Sequence, residues 1–401
     1  MNISFKRSSA IQFQKDEIII FDETNSSLIK KIIPDSYSFS IYKIRQVEIV
    51  VTFKIILNFF LNLKDLKIFK KYSSNKGLIK NIFWQLLCIY IKSYIQTVNP
   101  KAVITSIDNC TKFAWLSKNI SEIPFIAIQN GFRLNYDVDK DSLYNCQHLF
   151  CFGDFEVENF PKREWTVDNF YPVGSAFASM NFEDKYGDMI HKNEFDILVV
   201  SCWRGNIGFG QDVQDSMNAM RLFDLEFAAY LKKRNLKAAV ILRSERNSDQ
   251  WVMPEIRSSE EDYFKSIYED TIEIIDTNFS IKNIYPLMEK SKMVISGFCS
   301  TSLLEAFGIG KKILYCNYTN QSKYFCDFDP AITFTKNKNS PMDTLEKRLD
   351  ELIDMPSPEY KKCYSELMKY YQSSDKSIPT HEIIKMNIDR IIKTNENIKP
   401  L

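Results

Sequence analysis

Short apolar runs alternate along this chain with stretches whose apolar positions recur every three or four residues. That alternation predicts parallel sheets with crossover helices. In the first half, Glu17–Phe21 (EIIIF) reads as a strand, and a long helical pattern over Ile79–Gln96 leads to a strand at Ala102–Ile107. Thr111–Lys118 reads as a helix, and Phe125–Ile128, His148–Phe152 and Tyr171–Val173 as strands. Polar, irregular residues over Met180–Asn193 read as a linker.

The rhythm then restarts. Phe195–Ser201 reads as a strand, Leu222–Arg234 as a helix, and Ala238–Leu242 and Ile272–Ile275 as strands. Ser280–Ser291 puts Ile281, Ile284, Leu287 and Met288 on one helical face, and Glu359–Tyr371 and Glu382–Ile392 close the chain as helices.

The most informative stretch is Met293–Asn317, MVISGFCSTSLLEAFGIGKKILYCN. An apolar run ends at Gly297, the hydroxyl residues Ser300, Thr301 and Ser302 follow, and Ser302–Glu305 fits a capping box that would start a helix. Gly308 and Gly310 stop that helix, and Lys311–Asn317 reads as the next strand. A strand, a small-residue loop and a helix start offer unpaired N–H groups and a positive dipole end, which suits a phosphate.

Composition narrows the class. A chain of 401 residues, 45% hydrophobic, can bury two cores of ordinary size. With 52 Lys+Arg against 51 Asp+Glu, nothing supports a nucleic-acid partner. Nine cysteines without CxxC pairs read as reduced thiols. Met1–Lys15 is polar and lacks the apolar core of a signal peptide, so a cytoplasmic protein is expected. Ile49–Leu63, the longest apolar stretch, is too short to span a bilayer. With Lys64, Lys67, Lys70 and Lys71 beyond it, it could dock on an anionic membrane, but a helix apolar on most faces reads first as buried core.

Three segments carry a family resemblance. Ser280–Asn317 resembles the nucleotide-binding element of GT-B glycosyltransferases. More narrowly, Ile123–Arg133 (IPFIAIQNGFR), Leu149–Phe160 (LFCFGDFEVENF) with Tyr171–Ser175 (YPVGS), and the STSLLEAFGIGKKILYCN run resemble bacterial O-antigen and capsule biosynthesis proteins. The resemblance implies an α/β, GT-B-like fold of two Rossmann-like domains facing a cleft. Residues 1–178 would form the acceptor domain, 194–355 the nucleotide-sugar donor domain, and 356–401 helices packing back on the first. It implies metal-independent sugar transfer from a nucleotide-activated donor to a surface glycan, lipid-linked or free, without a cofactor.

The site residues follow from strand ends, where open α/β sheets bind ligands. Ser300, Thr301 and Ser302 would hold donor phosphate, and by resemblance Glu305 would accept from the ribose. Arg204 and Arg243, after the second half's first two strands, would stabilise a leaving phosphate, with Arg246 a weaker choice. Asp108 follows a strand and could act as general base, although Asp108 or Asn109 could equally cap the next helix. Glu156 is a second candidate base, against the bland reading of an acidic first turn. Gln129, Asn130 and Arg133 would meet acceptor hydroxyls or an anionic group. Asp137-Val138-Asp139 lies in a polar loop, and His148, His191 and His381 show no metal-ligand spacing, so no metal site is expected. A sugar-nucleotide epimerase or polyol-phosphate transferase of similar fold, and a non-catalytic glycan-binding scaffold, remain as rival readings.

Overall fold

The computed structural model describes residues 2–6, 17–44, 46–67, 77–133, 144–163, 165–183, 194–201, 203, 211–242, 254–275, 284–297, 300–318, 328–336, 343–373 and 377–398. The chain divides into two units, one of Met1–Met180 with Ser373–Leu401, the other of Asn181–Gln372.

The first unit begins with β1 (Asn2–Lys6), β2 (Ile18–Phe21), α1 (Ser26–Ile32), β3 (Phe39–Tyr42) and β4 (Gln46–Val50). Two antiparallel-running helices follow, α2 (Phe53–Asn62) and α3 (Leu78–Val98), then β5 (Ala102–Thr105), α4 (Thr111–Asn119), β6 (Phe125–Ile128) and β7 (Asn145–Cys151). After α5 (Asp154–Asn159), β8 (Thr166–Pro172) and α6 (Ala176–Glu183) lead out of the unit. Its main sheet is six-stranded and parallel in the order β3-β2-β5-β6-β7-β8, while β1 and β4 pair separately.

The central strands β2 and β6 are apolar and buried at every position because both faces are covered. Side chains alternate across a strand. Ile19, Phe21, Val103, Phe125, Ala127 and Leu149 therefore point to a core shared with α3 and α4. Ile18, Ile20, Ala102, Ile104, Ile126 and Ile128 point to the opposite core.

The second unit runs β9 (Phe195–Val200), α7 (Gln211–Arg234), β10 (Ala238–Ile241), α8 (Pro254–Tyr268), β11 (Ile272–Ile275), α9 (Ile284–Glu289), β12 (Ser291–Ser296), α10 (Thr301–Gly308), β13 (Lys312–Asn317) and β14 (Thr333–Thr335). Then come α11 (Leu345–Asp354), α12 (Ser357–Cys363) and α13 (Ser365–Tyr371). Its six parallel strands take the order β11-β10-β9-β12-β13-β14, the Rossmann arrangement, which reverses direction between β9 and β12. The last helix, α14 (Thr380–Ile398), belongs to the first unit, where Ile384, Ile388 and Ile392 complete the second core.

Three expectations change. Met180–Glu183 is not linker but the last part of α6, whose Phe182 ring packs edge-on against Tyr285 at 4.8 Å. Glu359–Tyr371 is two helices, broken at Tyr364. The third concerns Ile49–Leu63: α2 is not a buried helix, since Phe53, Ile56, Leu57, Phe60 and Leu61 are all exposed. No helix among the described residues is long and apolar enough to cross a membrane.

Candidate functional site

In the first unit, the loops after β5, β6 and β7 converge at the carboxyl ends of three neighbouring strands, and they carry five of the residues singled out above. Arg133 Nε donates to Asp108 Oδ2 at 2.8 Å, and Arg133 Nη2 donates both to Asp108 Oδ1 and to Asn130 Oδ1, the latter at 2.6 Å. Tyr144 OH adds a donor to Asp108 at 3.3 Å. Asp108 is not a helix cap, because α4 starts at Thr111 with Cys110 at the N-cap position.

A second link joins the same loops. Gln129 Nε2 donates to Glu156 Oε1 at 3.0 Å and to the Gly131 carbonyl at 3.1 Å, while Gln129 Oε1 accepts from the Phe152 amide at 3.0 Å. The other oxygen of Glu156 accepts from the Gly153 amide at 3.0 Å, closing the first turn of α5. Burial drives the Glu156 carboxyl up to about 7, against the lowering effect of its hydrogen bonds from Gln129 and Gly153. Neither the Asp108 side chain nor Glu156 is exposed to solvent. Asn130 and Gly131 are partly exposed and Asn109 is exposed, so these present the loops outward.

The sheet reverses direction between β2 and β5, and the residue ending β2 escaped sequence reading. Asp22 is buried with φ 95°, a conformation costly for a residue with a Cβ, and its Oδ1 accepts from the Thr24 amide at 2.8 Å. Ser106 Oγ, just past β5, donates to the Thr24 carbonyl at 3.2 Å, tying the two sides of the reversal together. An aspartate directly after the run EIIIF was the available signal.

In the second unit, the Gly/Ser/Thr motif lies at the reversal between β9 and β12. Ser296 Oγ donates to the Val200 carbonyl at 3.0 Å, joining the ends of the two strands. Gly297 follows; a Cβ there would stand 2.8 Å from Phe223 Cδ1 of α7, so its lack of a side chain serves close packing. The helix starts two residues earlier than the capping-box reading placed it, with the N-cap at Ser300 in place of Ser302. α10 begins at Thr301 with Ser300 as N-cap, and Ser300 makes no side-chain capping bond. Glu305 therefore sits in the second turn, 5% exposed, where Tyr285 OH donates to its Oε2 at 3.2 Å. Ser300, Thr301 and Ser302 are partly exposed at the head of α10. The helix ends in a Schellman turn: Lys311 N donates to Ala306 O, Gly310 N to Phe307 O, and Gly310 takes φ 80°.

Beside this loop, Ser201 Oγ donates to the fully buried Glu260 at 2.6 Å and accepts from the Trp203 amide at 3.2 Å. Glu260 lies on α8, whose sequence PEIRSSEEDYFKSIY carries few apolar positions to announce a helix. Arg204, Arg243, Arg246 and Asp137–Asp139 lie outside the described residues. Among the described residues, no cluster of His, Cys, Asp or Glu could hold a metal ion.

No family model matches the sequence, and no curated protein matches it. Solved structures do match. UDP-GlcNAc 2-epimerase from Neisseria meningitidis, bound to UDP-GlcNAc, aligns over 94% of this chain and 99% of its own at TM-score 0.50 and 15% identity. UDP-N-acetylglucosamine 2-epimerase from Rickettsia bellii aligns over 99% and 98% at TM-score 0.50 and 14% identity. A glycosyltransferase from Rickettsia africae aligns over 96% and 97% at TM-score 0.40 and 12% identity, too far away to add weight. At such identities the likeness is one of fold. The chain has an α/β, GT-B-like fold built from two Rossmann-like units.

Proposed function

We propose that this chain is a sugar-nucleotide enzyme, and that it transfers a sugar from a nucleotide-activated donor to a glycan acceptor. The observation that carries the reading is the position of the hydroxyl-rich start of α10 at the strand-order reversal of a Rossmann sheet. The second unit would hold the donor: Ser300, Thr301 and Ser302 with the first-turn N–H groups of α10 take phosphate, and Glu305 faces the nucleoside. Arg204 and Arg243, in the segments after β9 and β10, would balance the charge of the departing nucleotide.

The first unit would hold the acceptor through Asn130 and the loop that Gln129 and Arg133 support. In the arrangement described above, Asp108 and Glu156 shape that loop from beneath. For either to act as base, taking a proton from an acceptor hydroxyl, its buried partners must first give way. The three sequence segments that resemble O-antigen and capsule proteins favour a surface polysaccharide as the product. The exposed apolar face of α2, in the same unit, fits an acceptor carried on lipid.

A second reading is favoured by the two UDP-GlcNAc 2-epimerase structures of the same fold. The two readings differ in what they need. Incubation with UDP-GlcNAc alone, followed by proton NMR, should leave the configuration at C2 unchanged. Release of free nucleotide should rise only when a glycan acceptor is added. Inversion at C2 without acceptor would instead make the chain an epimerase.

A further inference from the structure

Helix α2 turns a mixed face to its unit, with Ile55 buried and Phe59 packed on the core, and an apolar face away from it. On the inward face Asn58 Nδ2 donates to Thr97 Oγ1 at 3.0 Å, and Asn62 Nδ2 donates to Ser93 Oγ at 3.0 Å and Gln96 Oε1 at 2.8 Å, all three acceptors on α3. Five large apolar side chains face away. Phe53 is 82% exposed, Phe60 64% and Leu61 61%, with Ile56 and Leu57 between them. At 100° per residue these five occupy one continuous arc of about 140°. A helix on the surface of a free soluble protein keeps its outward face polar. A contiguous apolar face of this kind marks a place where something apolar binds.

The charges around the face select the partner. Phe53–Asn62 contains no acidic residue, and Lys54, Lys64 and Lys67 are exposed around it. The next acid along the chain, Asp65, is tied to Lys92 Nζ at 2.8 Å, and Glu122 at the edge of the helix accepts from Gln96 Nε2 at 3.1 Å. The first turns of α3 repeat the combination, exposing Leu78, Ile79 and Phe83 beside Lys80. At the edge of α2, a cavity of 330 Å³ is lined by Lys54, Asn58, Asn62, Gln96, Asn99 and Glu122 together with the apolar Leu61 and Ile123. Ten residues of helix measure about 15 Å, half of a bilayer's hydrocarbon core, so α2 can lie in a membrane surface but not cross it. An anionic bilayer supplies both an apolar layer for the phenylalanines and phosphates for the lysines.

We propose that the outward face of α2 seats this protein on an anionic lipid bilayer, lying flat at the boundary between headgroups and acyl chains. The proposal does not rest on the sugar-transfer reading, and its test uses no nucleotide. The full chain is floated with vesicles of equal parts phosphatidylglycerol and phosphatidylcholine, and with phosphatidylcholine alone. The wild type should float with the anionic vesicles, less well at high salt. The surface variant Phe53→Ser/Phe60→Ser, folded by circular dichroism, should bind roughly tenfold or more weakly. Lys54→Glu/Lys64→Glu/Lys67→Glu should lose the preference for the anionic lipid. Absence of flotation at low salt, or equal flotation of the phenylalanine variant, would overturn the proposal. A wild-type dimer that fails to float and that the phenylalanine variant converts to monomer would assign the face to a second copy instead.

Discussion

Arg133 grips Asp108 through two nitrogens, Nε on Oδ2 at 2.8 Å and Nη2 on Oδ1, with the aspartate side chain wholly buried and the arginine nearly so. The pair joins the loop after β5 to the loop after β6, so it fixes the backbone on which Asn130 and Gly131 stand. Burying two charges is costly, and removing one strands the other without its partner. Arg133→Met should therefore lower stability by about 3–5 kcal/mol, and Asp108→Ala by a similar amount. Urea unfolding of both single variants and the double variant checks this. The double should cost less than the sum, because the second substitution removes the stranded charge; strict additivity would contradict the pairing.

Glu156 gives a pH dependence with a definite sign. Its carboxyl is raised by burial from 4.5 to about 7, so the folded state holds that proton more tightly than the unfolded chain. The stabilisation is complete below about pH 4.5 and is lost as pH rises through about 7, a change of roughly 3 kcal/mol. Asp224, raised to about 6 by burial against the lowering effect of hydrogen bonds from Tyr263 and Tyr268, slopes in the same direction. The comparison of wild type with Glu156→Gln isolates the first. The variant's stability should fall less steeply between these pH values, whereas parallel curves would show that Glu156 does not titrate there.

Gly297 is fixed by its neighbour. An added Cβ would lie 2.8 Å from Cδ1 and 3.3 Å from Cε1 of Phe223, a buried ring stacked on Phe227 at 5.7 Å. Gly297→Ala should cost about 1–3 kcal/mol by overpacking. Phe223→Leu should recover much of that loss in the same background, measured by thermal unfolding. If the second substitution only adds its own penalty, the contact does not explain the glycine.

The legibility of these features follows the physics behind them. Strands buried on both faces leave apolar runs, and so β6 is found at the bounds its sequence announces. α8 and α11 carry their apolar positions among many charges, and both went unread. Strand-end loops advertise their chemistry, which is why Asp108, Gln129, Asn130, Arg133 and Glu156 stand out in the sequence alone. What they do to each other was not legible: a carboxylate that could serve as a base and one locked beneath a loop have the same one-letter code. Gly297 looked like part of an anion-binding loop, yet its need comes from Phe223, more than seventy positions earlier in the chain. The orientation of α2 was misread for a related reason. Its composition is apolar enough for a core, and only the partners of Asn58 and Asn62 reveal which side faces in.

The hydroxyls at the start of α10 should serve a ligand more than the fold. Ser300 makes no capping bond through its side chain, so Ser300→Ala/Ser302→Ala should leave the melting temperature of the free protein within about a degree or two. The same variant should weaken nucleotide binding roughly tenfold or more. Isothermal titration with the nucleotide that binds wild type decides it, and unchanged affinity would remove these side chains from the site.

Nucleotide binding itself is the most direct test of the account. A thermal-shift panel of UDP, GDP, CDP, CMP and dTDP on the full chain should single out at least one nucleotide. At a hundredfold excess over Kd a ligand of the folded state adds about 2.7 kcal/mol, enough to move the transition by several degrees. A selective upward shift, lost in Ser300→Ala/Ser302→Ala, is the result expected of a sugar-nucleotide enzyme. A panel in which no nucleotide shifts the transition at millimolar concentration would contradict it.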